Sequence, residues 1–531
     1  MSELEKLIHT SYNDLYVIDS EGATYDDPVH MTHLLSPRVI DETTLFAIDI
    51  PDLFNAMNHT KTRTGASTLF RSLMKPLDSL ELLVEKQNSI KELEKDRKKR
   101  AALIGYLNSL AKREPYMHRY LFQCLYCQKE PYDLRFVDQY KLYRESMKFF
   151  ENMVDGVKNL SGIESPYLAI LVEDIRNIDE KRVFDVIKGP VYKAFGGIKT
   201  KKEVRIYTPR IKFTLRSFKP TLAIPYAALF LSMYFEPMRF IAAFAAIAYT
   251  PIMYGYPEWF DRKHFISPLR EMYKEDPNIS RGIEALGKID ELLSFHEYSE
   301  DMGEDMVLPT ITRASNHYFV AKNIRNPILA KENPDYVPND VNINGQKSTI
   351  ITGSNSGGKT TYCKSIAQMQ LLAQIGCYVP AKEAELSIAD KILYQAPLFD
   401  SISDVEGRFG TELKITRDIF FKATPRSLVI LDELAEATTY EEKMDISYVI
   451  LNGFNKIGST TVLVTHNHKL ASRFLQEGRS QNLQVEFKNN KPTYRLIPGI
   501  SKESHAELIA EKVGFSPNDI KTYLKRKGYL K

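Results

Sequence analysis

Hydrophobic and polar positions follow a helical period over the first part of the chain. Apolar residues recur every three or four positions over about 67–111, 133–160, 166–188 and 276–298, which predicts amphipathic helices. The apolar stripe of the first stretch is formed by Leu80, Leu83, Val84, Ile90 and Leu93. Pro76 interrupts this stretch, because proline removes a backbone donor and clashes with the preceding turn. The pattern predicts a region that is almost entirely α-helical.

A long apolar run between residues 221 and 254 departs from this amphipathic pattern. Its charged residues are Glu236 and Arg239, which flank Pro237-Met238, so two apolar helices joined by a tight turn are predicted. Each half has about 15–17 residues, at the short edge of what spans a hydrocarbon core of ~30 Å. Basic residues lie on both flanks, which favours a membrane hairpin with both ends cytoplasmic. A buried core hairpin, or an apolar tip used for oligomerisation, is the alternative.

From about residue 316 the pattern changes to short β-like runs separated by turns. Such runs alternating with helical stretches predict an α/β domain. We therefore predict an N-terminal segment over 1–40, a helical core or lever domain over 41–315 that contains the apolar hairpin at 220–256, and an α/β domain over 316–531. The predicted fold class is α plus α/β.

A complete phosphate-binding motif opens this last domain. The β-branched run at 349–352 predicts a short buried strand, and a helical pattern begins just after the motif. The motif itself consists of Gly353, Ser354, Asn355, Ser356, Gly357, Gly358, Lys359, Thr360 and Thr361. Its glycines let backbone N–H groups approach phosphate oxygens, and the helix N-terminus adds positive charge. Lys359 is then placed to reach the β- and γ-phosphates, and the Thr360 hydroxyl to ligate Mg²⁺. The predicted ligands are a nucleoside triphosphate and magnesium.

Two further strand ends carry residues suited to phosphoryl chemistry. The run S-L-V-I-L ends on Asp432 and Glu433, where Asp432 is predicted to hold Mg²⁺ and Glu433 to polarise the attacking water. The run T-T-V-L-V-T ends on His466, which we interpret as a sensor of the γ-phosphate rather than a structural histidine. His468 lies past the strand end and is interpreted as structural.

Composition narrows the class of protein without changing this picture. The chain has 531 residues, of which 43% are hydrophobic and 26% charged, as in ordinary globular proteins. A net charge of +3 implies no strong overall attraction to nucleic acid or acidic lipid, so any such binding depends on local patches. The N-terminus M-S-E-L-E-K-L-I-H has no long apolar region, and a secretion signal is not expected.

Several segments together resemble the MutS family, the DNA mismatch-recognition ATPases. Tyr336-Val337-Pro338-Asn339-Asp340 is similar to the family's F-V-P-N-D, and 353–359 to its G-P-N-M-G-G-K. The segment 374–381, Q-I-G-C-Y-V-P-A, and the closing pattern over 494–517 also resemble it. The resemblance implies a P-loop ATPase domain of the ABC type that binds ATP and Mg²⁺, with Tyr336 stacked on adenine. It also implies ATP hydrolysis that moves the helical levers, a homodimer formed through the ATPase domains, DNA binding and mismatch repair.

The chain departs from the family pattern in ways that keep a second function open. The acidic motif continues L-A-E-A-T where the family has x-G-R-G-T, and the loop at 407–412 has no serine to offer to a partner's ATP. No N-terminal mismatch-reading domain is expected, and the apolar hairpin occupies the place of the DNA clamp. The alternative is therefore a membrane-anchored mechanochemical ATPase that acts on a protein or membrane partner without recognising mismatches. Under either hypothesis we expect a cytoplasmic ATPase. Under the alternative it is anchored through the hairpin.

Overall fold

The structure is a computed structural model that describes most of the chain. The described residues are 2, 4–6, 8, 39–121, 137–158, 160–194, 197–204, 227, 230, 240, 244, 262–303, 305–333, 335–344, 348–353, 357–397, 407–434, 440–489, 491–501 and 513–530. The predicted apolar hairpin lies outside them apart from the four isolated positions between 227 and 244, so its form stays a prediction. Within the described ranges, no helix combines the length and apolarity needed to cross a bilayer.

The chain divides into two compact units, each built from several segments. The first unit comprises Met1–Leu34, Thr60–Leu69 and Ser89–Leu293. The second unit comprises Leu35–His59, Phe70–Asn88 and Ser294–Lys531. The sequence intervals 1–40, 41–315 and 316–531 stay predictions of the domain boundaries.

Helices form most of the described part of the chain before residue 303. They are α1 Glu42–Ala47, α2 Ile50–Met57, α3 Arg63–Met74, α4 Leu80–Lys95, α5 Arg97–Ala111, α6 Glu114–Leu121, α7 Val137–Lys158, α8 Pro166–Arg176, α9 Arg182–Lys188, α10 Ser267–Glu275 and α11 Pro277–Met302. A short hairpin of β1 Tyr192–Ala194 and β2 Gly197–Lys199 follows α9. In the first unit, buried aromatic rings of α6, α7 and α10 pack edge to face or tilted, as Tyr120 does with Tyr143 and Tyr273.

The long helix predicted over about 67–111 is in fact three helices, α3, α4 and α5. The break near Pro76 is confirmed, whereas the break at Asp96 was not predicted. The Asp96 side chain accepts hydrogen bonds from the backbone N–H groups of Lys98 and Lys99 and thereby caps α5. The apolar period continues across this residue, so periodicity alone did not reveal the break.

Two buried carboxylates hold the start of α3 in the first unit. Asp290 accepts hydrogen bonds from the backbone N–H groups of Lys61 and Thr62, and from the Thr62 hydroxyl. Glu114 accepts from the backbone N–H groups of Arg63 and Thr64 in the same way. Together they pair four N–H groups at or just before the helix start, where donors have no partner within the helix. The polar segment at 58–65 is thus fixed by buried charge.

A sheet of mainly parallel strands forms the centre of the second unit. Its strands are β7 Ser348–Thr352, β10 Lys391–Gln395, β11 Ser427–Asp432, β12 Thr460–Val464, β13 Ser480–Lys488 and β14 Lys491–Pro498. Among the described residues their order is β10-β11-β12-β7-β13-β14, with β14 antiparallel to β13. Every residue of β7, β11 and β12 is buried, as expected of parallel strands covered on both faces. The strands predicted at 349–352, at 428–431 and from 460 are confirmed.

Smaller strands and the remaining helices complete the second unit. A second sheet has the order β4-β9-β5-β6 in the described chain, and β3 pairs with β8. These strands are β3 Met306–Val307, β4 Thr310–Thr312, β5 Tyr318–Ile324, β6 Asn339–Asn344, β8 Val379–Pro380 and β9 Glu383–Ser387. The helices are α12 Leu329–Glu332, α13 Lys359–Gln374, α14 Gly407–Lys422, α15 Tyr440–Ile457, α16 His468–Gln476 and α17 Pro517–Arg526. The expectation of a loop at 407–412 is wrong, because these residues form the first turns of α14.

Helix α13 carries three buried glutamines whose amides bind backbone groups of other segments. Gln368 donates to the carbonyl oxygen of Ile48 over 2.8 Å, and Gln370 donates to that of Ser387 over 3.0 Å. Gln374 donates to the carbonyl oxygens of Leu77 and Ala389, and its own side-chain oxygen accepts from the Ala389 N–H group. Because buried polar groups need partners, these bonds fix α13 against its neighbours within the unit.

Candidate active site

The carboxyl ends of three adjacent strands bring the predicted site residues to one edge of the sheet. Ile351 of β7 lies opposite Val464 of β12, which in turn lies opposite Asp432 of β11. The phosphate-binding motif, His466 and the pair Asp432-Glu433 therefore follow directly from neighbouring strand ends. Crevices at such strand ends are where open α/β sheets bind their ligands.

The described part of the phosphate-binding motif has the backbone that its glycines allow. Gly353 and Gly358 have φ angles of +132° and +80°, a region that side chains disfavour. A β-carbon built on Gly357 would lie 2.6 Å from a Cγ atom of Val485, so this position also lacks space for a side chain. Ser354, Asn355 and Ser356 lie outside the described residues. Thr361 lies in the first turn of α13, which begins at Lys359 as predicted.

Lys359 is buried at the entrance of α13 with its ammonium group turned back onto the motif. Its Nζ donates to the carbonyl oxygen of Gly353 over 2.7 Å. The side chain is 2% exposed, and this burial lowers its pKa to about 8, although Glu433 and Asp432 act to raise it. The group is a cation held close to two carboxylates with little water around it. Such a cation is suited to phosphate oxygens.

Asp432 and Thr360 form a pair of oxygen donors beside Lys359. Asp432 ends β11 and is buried, and burial raises its pKa although hydrogen bonds from Thr360 and Tyr394 act against this. Thr360 lies in the first turn of α13 and is exposed. A hydroxyl and a carboxylate are hard oxygen ligands that fit Mg²⁺, which keeps its remaining positions for water and phosphate. These residues fit the predicted metal.

Glu433 occupies an unusual backbone position next to Asp432. Its φ angle is +65°, in the left-handed region that residues other than glycine seldom adopt, and its N–H donates to the carbonyl oxygen of Val464. The Oε1 atom of Glu433 lies 3.4 Å from Nε2 of His466. The hydrogen bond from His466 is the main reason why the pKa of Glu433 is lowered. Backbone strain of this kind is often found at functional sites.

Two tyrosines have surroundings that the sequence did not indicate. The Tyr336 hydroxyl interacts with the side chain of Ser365 in the second turn of α13, and burial raises its pKa. Adenine stacking by Tyr336 stays a prediction. Tyr494 was named only as part of a closing pattern, yet a β-carbon built on Gly358 would lie 3.5 Å from its ring. Tyr494 is half exposed with a φ of +60°, and its position depends on the β13–β14 pairing, which the sequence did not reveal.

Comparison with known proteins finds similarity over the last part of the chain. Residues 349–525 match the family MutS domain V. The DNA mismatch repair protein MSH3 of Kluyveromyces lactis is 36% identical over 271 residues, which cover 49% of this chain and 26% of that protein. The DNA mismatch repair protein MutS of Parabacteroides distasonis is 32% identical over 257 residues, which cover 46% of this chain and 29% of that protein.

The human DNA mismatch repair protein Msh3 is a further relative. It is 32% identical over 255 residues, which cover 46% of this chain and 21% of that protein. The chain thus spans between a fifth and a third of the length of each of these relatives. Residues 349–525 are thus similar to MutS domain V, and about half of the chain is similar to part of each of these DNA mismatch repair proteins.

Proposed function

We propose that this chain is a MutS-like ATPase, a P-loop NTPase that binds and hydrolyses ATP at the edge formed by β7, β11 and β12. One observation carries the proposal: Lys359, Asp432, Glu433 and His466 come from three adjacent strand ends and lie within one charge-coupled group. Such an arrangement has the parts that phosphoryl transfer requires, which are a phosphate cation, metal ligands and a base.

In this proposal each side chain has a separate task. Lys359 exchanges its bond to the Gly353 carbonyl for bonds to the β- and γ-phosphates. Thr360 and Asp432 would hold Mg²⁺, which neutralises charge on the phosphates. Glu433 accepts a proton from the attacking water. His466, whose Nε2 lies 3.4 Å from Oε1 of Glu433, fixes this carboxylate and faces the γ-phosphate. The positive φ angles of Gly353 and Gly358 let the backbone of the motif turn so that its N–H groups can approach the phosphates.

We further propose that ATP turnover serves DNA mismatch repair through a homodimer. The support is the similarity to relatives that are named as DNA mismatch repair proteins. Helices α3, α4 and α11 each contribute residues to both units, which makes them the candidates for levers driven by the nucleotide.

Glu433→Gln tests the catalytic assignment, with Glu383→Gln as the matched control. Glu383 is an exposed residue of β9 that pairs with Lys322 at the surface. We expect Glu433→Gln to lower kcat by at least about 100-fold while ATP affinity stays near the wild-type value, because a general base contributes about 10²–10⁴. Glu383→Gln should turn over like the wild type. An unchanged kcat of Glu433→Gln would refute the assignment of Glu433 as the general base.

The DNA part is tested separately, by the ATPase rate of the wild type without DNA, with homoduplex and with mismatched duplex. We expect the mismatched duplex to change the rate most, with a response that weakens as salt rises. If neither duplex changes the rate at low salt, the proposed role in mismatch repair fails, and the ATPase assignment stands on its own.

A further inference from the structure

Tyr394 reaches the proposed metal ligand from the neighbouring strand. It lies on β10 in register with Ile430 of β11. Residues two apart on a strand share one face, so Ile430, Asp432 and Tyr394 all project from the same face of the sheet. Asp432 lies two residues further along β11 than Ile430, and the Tyr394 hydroxyl donates to its Oδ2 atom over 3.3 Å. The ring itself is fully buried.

The phenol is a hydrogen-bond donor to this carboxylate. A fully buried hydroxyl needs an acceptor, and Oδ2 of Asp432 accepts from this one. The hydrogen bond in turn restrains the orientation of the buried Asp432 carboxylate. A charged, oriented carboxylate is the form that ligates a divalent cation.

The backbone of Tyr394 is itself held in place by the segment that precedes α2. Its N–H group donates to Oγ1 of the buried Thr44 over 2.9 Å. Two residues earlier, the N–H group of Ile392 donates to the carbonyl oxygen of Val39 over 2.8 Å. Strand β10 is the first in the sheet order, and these bonds occupy N–H groups on the side away from β11. Thr44 thereby sets the position of Tyr394 along the sheet.

We propose that Tyr394 is a positioning residue that fixes the Asp432 carboxylate for the metal–nucleotide complex, with Thr44 as the anchor of its backbone. The inference rests on the proposed ATPase function and adds a residue to the same site. A tyrosine that merely filled the core would contribute its ring, and loss of the hydroxyl alone would leave metal binding unchanged.

Tyr394→Phe removes the hydroxyl and keeps the ring. Tyr298→Phe is the matched control, since the Tyr298 hydroxyl is also fully buried in the second unit and donates over 3.3 Å, in its case to the carbonyl oxygen of Pro327. The readout is Mn²⁺ affinity of the ADP-bound protein, measured by electron paramagnetic resonance, together with the Mg²⁺ concentration that gives half-maximal ATP hydrolysis. Loss of an outer-sphere partner costs about 10–100-fold in metal affinity, so we expect at least a tenfold weaker Mn²⁺ affinity for Tyr394→Phe.

A second pair of variants guards against a folding defect in Tyr394→Phe. Thr44→Val removes the acceptor of the Tyr394 N–H group, whereas Thr44→Ser keeps a hydroxyl there. We expect Thr44→Val to weaken Mn²⁺ binding and Thr44→Ser to restore it. If Tyr394→Phe folds and binds Mn²⁺ with the wild-type affinity, the inference is overturned. If Tyr394→Phe does not fold, a wild-type Mn²⁺ affinity in Thr44→Val overturns it instead.

The same measurements separate this inference from the proposed function. If the wild type hydrolyses ATP but the Tyr394 and Thr44 variants keep the wild-type metal affinity, the inference alone is refuted. A wild-type chain that shows neither nucleotide-dependent Mn²⁺ binding nor ATP hydrolysis refutes the proposed function, and the inference fails with it.

Discussion

Nucleotide binding should take up a proton at Lys359. The buried ammonium has a pKa lowered to about 8, so at pH 8 about half of the molecules carry a neutral Lys359 before nucleotide arrives. Phosphate oxygens favour the charged form, which must then bind a proton. We expect an uptake of about 0.5 proton per nucleotide at pH 8, and an affinity that falls about 25-fold between pH 7.5 and pH 9.5, or about 2 kcal/mol.

Calorimetry provides the assay for this linkage. ADP is titrated into the protein at pH 8 in buffers of different ionisation enthalpy, and the slope of observed enthalpy against buffer enthalpy gives the proton uptake. Lys359→Arg is the control, because a guanidinium stays charged throughout this range and its affinity should not vary with pH. A flat wild-type affinity between pH 7.5 and 9.5 would refute the reasoning. An equally steep Lys359→Arg curve would assign the proton to another group.

Two predictions concern the stability of the fold. A β-carbon on Gly65 would lie 2.1 Å from Oδ2 of the fixed Asp290, so Gly65→Ala should lower the free energy of unfolding by about 1–3 kcal/mol. The control is Gly105→Ala, which lies in open space on α5 and should raise the free energy of unfolding by up to about 1 kcal/mol. If urea unfolding shows similar effects for the two variants, the packing argument is contradicted. Burial lowers the pKa of His317 to about 4, so the unfolded chain binds more protons between about pH 4 and 6.5, and stability is lost as pH falls through that window. Between pH 7.5 and 5, the free energy of unfolding of His317→Gln should therefore fall by about 2 kcal/mol less than that of the wild type. Parallel plots of unfolding free energy against pH for the two proteins would exclude this role for His317.

That the proposed site residues lie together was largely predictable, because they belong to short, continuous motifs. The phosphate-binding motif and Asp432-Glu433 each follow a fully buried run, and such runs indicate parallel strands whose ends share an edge. The position of His466 at a strand exit followed from the same logic.

What the sequence could not reveal depends on contacts between distant segments. Thr44 and Tyr394 are 350 residues apart, and the Tyr394–Asp432 contact requires β10 to lie beside β11. No local period encodes either fact. The start of α14 was missed for a different reason. The resemblance to a family loop suggested a loop at 407–412, whereas Glu412, Thr416 and Ile419 are buried at helical spacing.

The buried glutamines of α13 have a consequence for how this helix can move. A helix lined by apolar side chains can slide along its groove at little cost, since one methyl contact replaces another. Here a slide of one turn would leave the amides of Gln368, Gln370 and Gln374 without their carbonyl partners, at about 1–3 kcal/mol for each. In the proposed function, these bonds would couple a displacement of Lys359 by phosphate to the chain at Ile48 and Leu77.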